Sequence, residues 1–488
     1  MIRKFFRNAG FLVFVEFIIK LKGLVFIPLL SRYFGAFNYG VWFQVSTLVA
    51  TVSPIAILGT DSAAMRYLPG KSIEEQKRYY CAWFYFLLIA ITAISCILLL
   101  FRVNIAVLFF GKREEYELFI PLAAAVLFVS LITNNLRSWY RIINNAKFYG
   151  IITILQAVFD IFALVIVFLA KKGVYELILY GLAFQLLIAI FVFWQIVSNY
   201  GWSSPDFSII TPLLKYGLPL IPASYAMWGL NSMDRLFLVK YSTMSEIGIY
   251  GLAYGLGYMV IQMIINPIWS MYGNTAAELY NQNKTEDLQN LFSKSINLIL
   301  LLTLPFIVII AISGKSLVMI LATAEFISAG PLIAVITSAY LFHMLASYYD
   351  ISLGLAHKQY LSTVSIMLAC LINLIFNVIL IPKYTIIGAA IATGLGFLSQ
   401  LIFSYIFANR YVYIRTDFRF PVKVLLASVL LWEILYLIFS FMPKQGIIPV
   451  FFFVCGGFLV YTVLLFVSRV ISIRRVLSAI DFILDRGQ

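Results

Sequence analysis

Fourteen stretches of roughly 20 apolar residues, separated by short polar breaks, dominate this sequence and limit what it can fold into. A helix of that length matches the hydrocarbon core of a bilayer. Backbone in lipid must satisfy its own hydrogen bonds, so each run predicts a crossing helix. The expected spans are 9–30, 40–60, 79–101, 117–137, 148–170, 174–197, 213–238, 245–273, 290–313, 328–352, 360–381, 385–408, 421–441 and 447–469. Composition agrees: 62% of residues are hydrophobic and 11% charged, where a soluble domain carries about 25% charged residues. The fold class expected is an all-α polytopic membrane protein.

An even number of spans puts both ends on one side, and the basic residues say which. With the amino terminus inside, 22 Lys and Arg fall in inside segments and 10 in outside segments. Both termini are therefore expected to be cytoplasmic, in the cell's inner (cytoplasmic) membrane. The net charge of +14 is then topology and attraction to anionic headgroups, not a nucleic-acid footprint. The opening "MIRKFFRNAG" is basic and then apolar, but Glu16, Lys20 and Lys22 interrupt the run and no A-x-A site follows. It reads as a retained first helix. Cys81, Cys96, Cys370 and Cys455 are scattered, without a CxxC pair or clustered histidines, so no disulfide framework, metal or cofactor is indicated. "DSAAMRYLPGKSIEEQKRYY" (61–80) reads as an interfacial amphipathic helix or as a connector lying at the headgroups, and "FGKREEYE" (110–117) as a solvated outside turn. The connections are short, which argues against an enzyme such as a membrane-embedded transferase, whose catalytic acids would need a longer external loop.

A repeat organises the spans. Laying Arg32 on Lys240 puts Tyr33 on Tyr241, Gly40 on Gly248, Val41 on Ile249 and Trp42 on Tyr250, an offset of 208. Laying Lys147 on Lys358 puts Tyr149 on Tyr360, an offset of 211. Both matches link a helix to the sixth one after it and keep the same side of the membrane. Two parallel six-helix lobes result, 1–200 and 201–410, followed by two additional helices and a basic cytoplasmic tail in 411–488. Internal repeats of this kind mark secondary transporters, with the substrate path between halves.

Three stretches carry a family resemblance: "PLLSRYFGAFNYGVWFQVSTLV", "YGLPLIPASYAMWGLNSMDRLFLVKY" followed by "EIGIYGLAY", and "NVILIPKYTIIGAAIATGLG". In order and spacing they closely resemble the polysaccharide-export branch of the MOP superfamily, the O-antigen-type flippases, across nearly the whole chain. The resemblance implies a V-shaped transporter that moves an undecaprenyl-diphosphate-linked oligosaccharide from the inner to the outer leaflet by alternating access. Its partners would be the lipid-linked oligosaccharide, membrane lipid, a proton or sodium ion, and other polysaccharide-assembly membrane proteins. A lipid II flippase and a multidrug cation antiporter of the same superfamily are the alternatives. The antiporter would normally stop at 12 helices and prefer an acidic cavity.

Charges at membrane depth are costly and are functional candidates by default. Glu16 and Lys20 are four apart on the first helix and share a face, with Lys22 nearby. Lys20 and Lys22 would line the path for the diphosphate, with Glu16 tuning them, because fixed cations must replace the hydration a diphosphate loses. The other reading is an internal Glu16–Lys20 pair with Lys22 snorkelling. In the seventh helix Arg235 would be a second phosphate contact, a role the resemblance favours, and Asp234 would meet a neighbour or titrate; the other reading is an interfacial pair near headgroup level. Arg137 and Arg141 close the fourth helix on the cytoplasmic side, where a diphosphate is first met or where they simply anchor the helix. Asp160, mid-span in the fifth helix with no basic residue on its segment, must find a partner, a cation or a proton. His343 and Asp350 are seven apart in the tenth helix and share a face suited to a proton or sodium relay, or to a satisfied polar core. Asn373 and Asn377 read as glue between helices or as ligands of the sugar.

Overall fold

A computed structural model describes residues 2–411, 419–441, 446–468 and 470, the side chains of 2–10, 12–14, 16, 17, 20, 21, 24 and 270 excepted. Its helices are α1 (Ile2–Ile57), α2 (Thr60–Tyr67), α3 (Ile73–Leu100), α4 (Arg102–Phe110), α5 (Phe119–Ile142), α6 (Ala146–Leu169), α7 (Val174–Tyr200), α8 (Ile210–Gly217), α9 (Ile221–Tyr241), α10 (Met244–Asn281), α11 (Thr285–Leu321), α12 (Ala329–Leu355), α13 (Gln359–Tyr411), α14 (Arg419–Phe441) and α15 (Ile447–Val467). No strand occurs among the described residues. Eleven of these helices are long and apolar enough to cross a membrane. Two of them, α1 and α13, each fold back into two spans at a kink. With those halves counted, and with α9, whose polar Asn231, Asp234 and Arg235 dilute it, the crossing helices number the 14 expected.

The kinks refine the sequence reading. The break around "LSRYFGAFNYGVW" stays helical except at Gly35 (φ 70°, ψ 178°), a conformation that glycine alone adopts cheaply. The other turn, inside "IPKYTIIG", falls on Thr385 (φ 46°, ψ −122°), where a β-branched residue is strained. The 61–80 segment is not one continuous helix, so the connector reading fits it better. Pro69 and Gly70 (φ 84°) break it, and Ser72 starts α3 afresh through a capping box with Glu75. The stretch after α3 winds into α4 and, past Gly111, a 3₁₀ turn over Glu114–Leu118 that leaves Lys112, Arg113, Glu114 and Glu115 exposed, as a solvated turn should; an Arg102–Glu117 ion pair at 3.5 Å joins the two.

Contacts sort the chain into two compact units, Met1–Gly251 with Asn373–Ala389, and Leu252–Ile372 with Ala390–Gln488. In the first, α1 packs on α5, α6, α7 and α9. Its tightest crossing joins the repeat-related glycines. A Cβ on Gly40 would sit 2.1 Å from the Met244 carbonyl oxygen, and one on Gly248 would sit 2.0 Å from that of Ala36, so the two backbones touch as in small-xxx-small helix pairs. In the second unit, α11 packs on α12, α14 and α15. Ile309, Leu431, Leu435, Phe453 and Tyr461 form a buried core there. The outer sides of α14 and α15 expose Leu425, Leu426, Phe451 and Phe452, surface that only lipid solvates at low cost.

Candidate functional site

The partner that Asp160 needed is Lys22. The ammonium of Lys22 on α1 lies 2.7 Å from Asp160 Oδ2 on α6, joined because α1 and α6 pack along one another. Neither side chain is sealed in, with 25% of Lys22 and 33% of Asp160 exposed. Both open onto a cavity of about 400 Å³ between α1, α5, α6 and α7. Phe26 and Trp42 form its aromatic side, their rings 5.9 Å apart, and Ser46, Ser130 and Gln185 are polar groups on its wall. The pair is the only ionisable element among the described lining residues. The side chains of Glu16 and Lys20, and hence the pairing expected between them, lie outside the described residues, as does the basic tail after residue 470.

The other expected cations sit elsewhere in this unit. The Arg137 guanidinium donates to Asn134 Oδ1 at 2.7 Å and to Thr153 Oγ1 at 3.4 Å, and it lies 5.3 Å from the Tyr149 ring. Exposed Arg141 reaches the same ring at 5.8 Å. Tyr149 thus gathers both arginines, and neither lines the Lys22 cavity. Arg235 is buried, stacked 4.2 Å from the Phe43 ring centroid, and donates to Thr47 Oγ1 at 3.2 Å. Its neighbour Asp234 is buried as well. That carboxylate accepts from the Tyr250 hydroxyl and, at 2.8 Å, from the Arg235 backbone N–H.

The second unit holds its own polar chain. His343 Nδ1 lies 2.9 Å from Gln400 Oε1, Gln400 Nε2 lies 3.5 Å from Asp350 Oδ2, and the Ser404 hydroxyl donates to Asp350 Oδ1 at 2.9 Å. His343 and Asp350 therefore do share a face of α12, and Gln400 and Ser404 of α13 connect them. Asn373 and Asn377, expected to join two helices, instead bond to each other on α13 at 2.9 Å.

Sequence reasoning missed Gln400, Ser404, Thr47, Tyr250 and the Ser46, Ser130 and Gln185 lining. Gln400, mid-run in "GLGFLSQLIFSY", was findable as a polar residue at membrane depth. The serines and Thr47 carry no such signal, since a hydroxyl in a helix commonly satisfies itself on the turn before, as Thr47 does on the Phe43 carbonyl at 2.9 Å.

The profile of a family described as polysaccharide biosynthesis protein matches residues 29–331. The chain belongs to the polysaccharide biosynthesis protein family. An uncharacterized membrane protein of Methanocaldococcus jannaschii is 23% identical over 480 residues, 92% of each chain. A probable low-salt glycan biosynthesis flippase, Agl15, of Haloferax volcanii is 22% identical over 258 residues, about half of each chain (53% and 54%). Among solved structures, the lipid II flippase MurJ in an inward closed conformation superposes with a TM-score of 0.78 at 16% identity, covering 93% of this chain and 98% of that one. A multidrug resistance MATE family transporter of the MOP superfamily, inward-facing, gives 0.62 at 17% identity over 81% and 94%. The fold is that of these two solved transporters, in keeping with the resemblance carried by the sequence motifs. The chain is a multi-pass membrane protein.

Proposed function

We propose that this chain is a flippase that carries an undecaprenyl-diphosphate-linked oligosaccharide from the inner to the outer leaflet of the cell's inner membrane by alternating access, driven by a proton or sodium ion. The observation that carries the proposal is the Lys22–Asp160 pair opening onto an aromatic-sided cavity inside a helical bundle. A bare ammonium at that depth would be costly to maintain, and the cavity's size lies within the roughly 300–1,000 Å³ usual for small-molecule sites. Lys22, with Lys20 and Glu16 on the same helix, would receive the diphosphate, and Phe26 and Trp42 offer flat apolar faces to the first sugar. Arg137 and Arg141, gathered on Tyr149, would meet the headgroup first from the cytoplasm, and Arg235 would be a further phosphate contact. Asp160, Asp234 and the His343–Gln400–Asp350 chain are the groups that would carry the coupling ion. Residues 1–200 and 201–410 would act as the two lobes, with both termini cytoplasmic. Family membership and the flippase named among the relatives support the class of cargo.

The test is reconstitution. Purified protein in liposomes should move a lipid-linked oligosaccharide between leaflets without releasing free sugar or diphosphate. Hydrolysis of the cargo would make it an enzyme, and movement of lipid II in preference to other polyprenyl-diphosphate glycans would favour the lipid II reading. Export of a lipophilic cation would favour a drug antiporter.

A further inference from the structure

Within that cavity the positive charge is already taken. Lys22 is the sole cation among the described lining residues, and Asp160 neutralises it at 2.7 Å. The described lining residues therefore carry no net charge, and an arriving anion gains its full attraction as the carboxylate withdraws. Resting on the flippase reading, we propose that Asp160 is a resident counter-anion: it holds Lys22 while no cargo is bound, and the diphosphate of the cargo replaces it on the ammonium. Asp160 is thereby freed to take up a monovalent cation, a proton or sodium. Cargo binding and cation binding then become one event.

Three features of the site favour exchange over a fixed structural pair. Both partners are reached by solvent (25% and 33% exposed), so neither is locked away from a competitor. An ammonium has three N–H donors, so phosphate oxygens engage it before the carboxylate lets go, and the handover never passes through a bare charge. Among the described lining residues the freed carboxylate has no other cation to turn to. The elements packed around it present Ser46 from α1, Ser130 from α5 and Gln185 from α7, none of which ionises. A carboxylate left unpaired at membrane depth is costly, which drives it to take a cation. Because binding couplings are reciprocal, the cation must tighten cargo binding by the factor that cargo tightens cation binding.

Titration of the full-length protein in lipid nanodiscs with inorganic pyrophosphate tests the exchange. Asp160→Asn removes the competitor and should bind pyrophosphate about tenfold more tightly than the wild type, the size of one charge-assisted hydrogen bond. It should also lose the cation dependence of the wild type, and Lys22→Gln should abolish binding in either background. In the wild type, affinity should rise when sodium replaces choline at constant ionic strength if sodium is the coupling ion, or on acidification if the proton is. Unchanged or weaker binding in Asp160→Asn overturns the proposal, as does binding that survives Lys22→Gln. If Asp160→Asn does not fold, the wild type alone decides, because an affinity indifferent to both sodium and pH overturns it. A chain that shows the exchange but moves no lipid-linked oligosaccharide keeps this inference and loses the proposed cargo. A chain that moves the cargo without the exchange loses only the inference.

Discussion

Replacing Gly40 with alanine probes the crossing on which the first unit closes. The added Cβ would lie 2.1 Å from the Met244 carbonyl oxygen and 3.1 Å from the Gly248 nitrogen. Both are backbone atoms of a helix, so no side chain can swing away. The helices must part by about 1 Å, a gap that already forfeits a quarter to a half of each van der Waals well along the contact. Overpacking of this kind costs roughly 1–3 kcal/mol. Alanine's better helix propensity returns up to about 1 kcal/mol, so the net loss should be about 1–2 kcal/mol. Gly248→Ala should behave alike, because its Cβ meets the Ala36 carbonyl oxygen at 2.0 Å. The double variant should cost less than the two singles added, since helices parted once need not part again. Gly354 on α12 has nothing within 4 Å of its Cβ position, and Gly354→Ala should be neutral or slightly stabilising. Thermal unfolding of the purified variants in one detergent measures all four. A Gly40→Ala protein as stable as the Gly354→Ala control, or strictly additive single changes, would refute the reasoning.

Asp234→Asn should destabilise the first unit by about 1–3 kcal/mol, because the buried Tyr250 hydroxyl and Arg235 N–H lose a charged acceptor; thermal unfolding beside Asp234→Glu reads the loss. Asp350→Asn should leave protein abundance near the wild-type level, since its amide can still meet Ser404 and Gln400, while abolishing ion-dependent transport in liposomes; full transport in that variant would remove Asp350 from coupling. Cysteines introduced near Lys112 and Lys172 should react with an impermeant thiol reagent added outside intact cells, and cysteines near Lys77 and Asn283 should not; the reverse pattern would invert the topology.

Much of the architecture was legible from residue order because lipid imposes it locally. A run of the right length and hydropathy must be a helix whatever surrounds it, so the crossing segments appear where expected, and even the weak run 213–238 holds a helix, α9 (Ile221–Tyr241). The interfacial connectors were less legible. Hydropathy does not register that Pro69 and Gly70 break 61–80 into two helices, or that the stretch after α3 winds into α4, since those outcomes depend on capping and turn chemistry at single residues.

From the sequence alone came the spanning helices and the demand that Asp160 find a partner, along with an expected sidedness and an expected repeat. Which residue answers that demand was left to the tertiary structure, for Lys22 stands 138 positions away. The same holds for Gly40 and Gly248, whose alignment was visible as a repeat but whose contact was not, and for Gln400 between His343 and Asp350. The physical reason is common to all three. Hydrophobicity acts on a segment through the lipid around it and needs no neighbour to be named. A charge pair, a hydrogen-bonded chain or a backbone crossing is short-ranged, decided within a few ångströms by how two distant helices are rotated and where they cross.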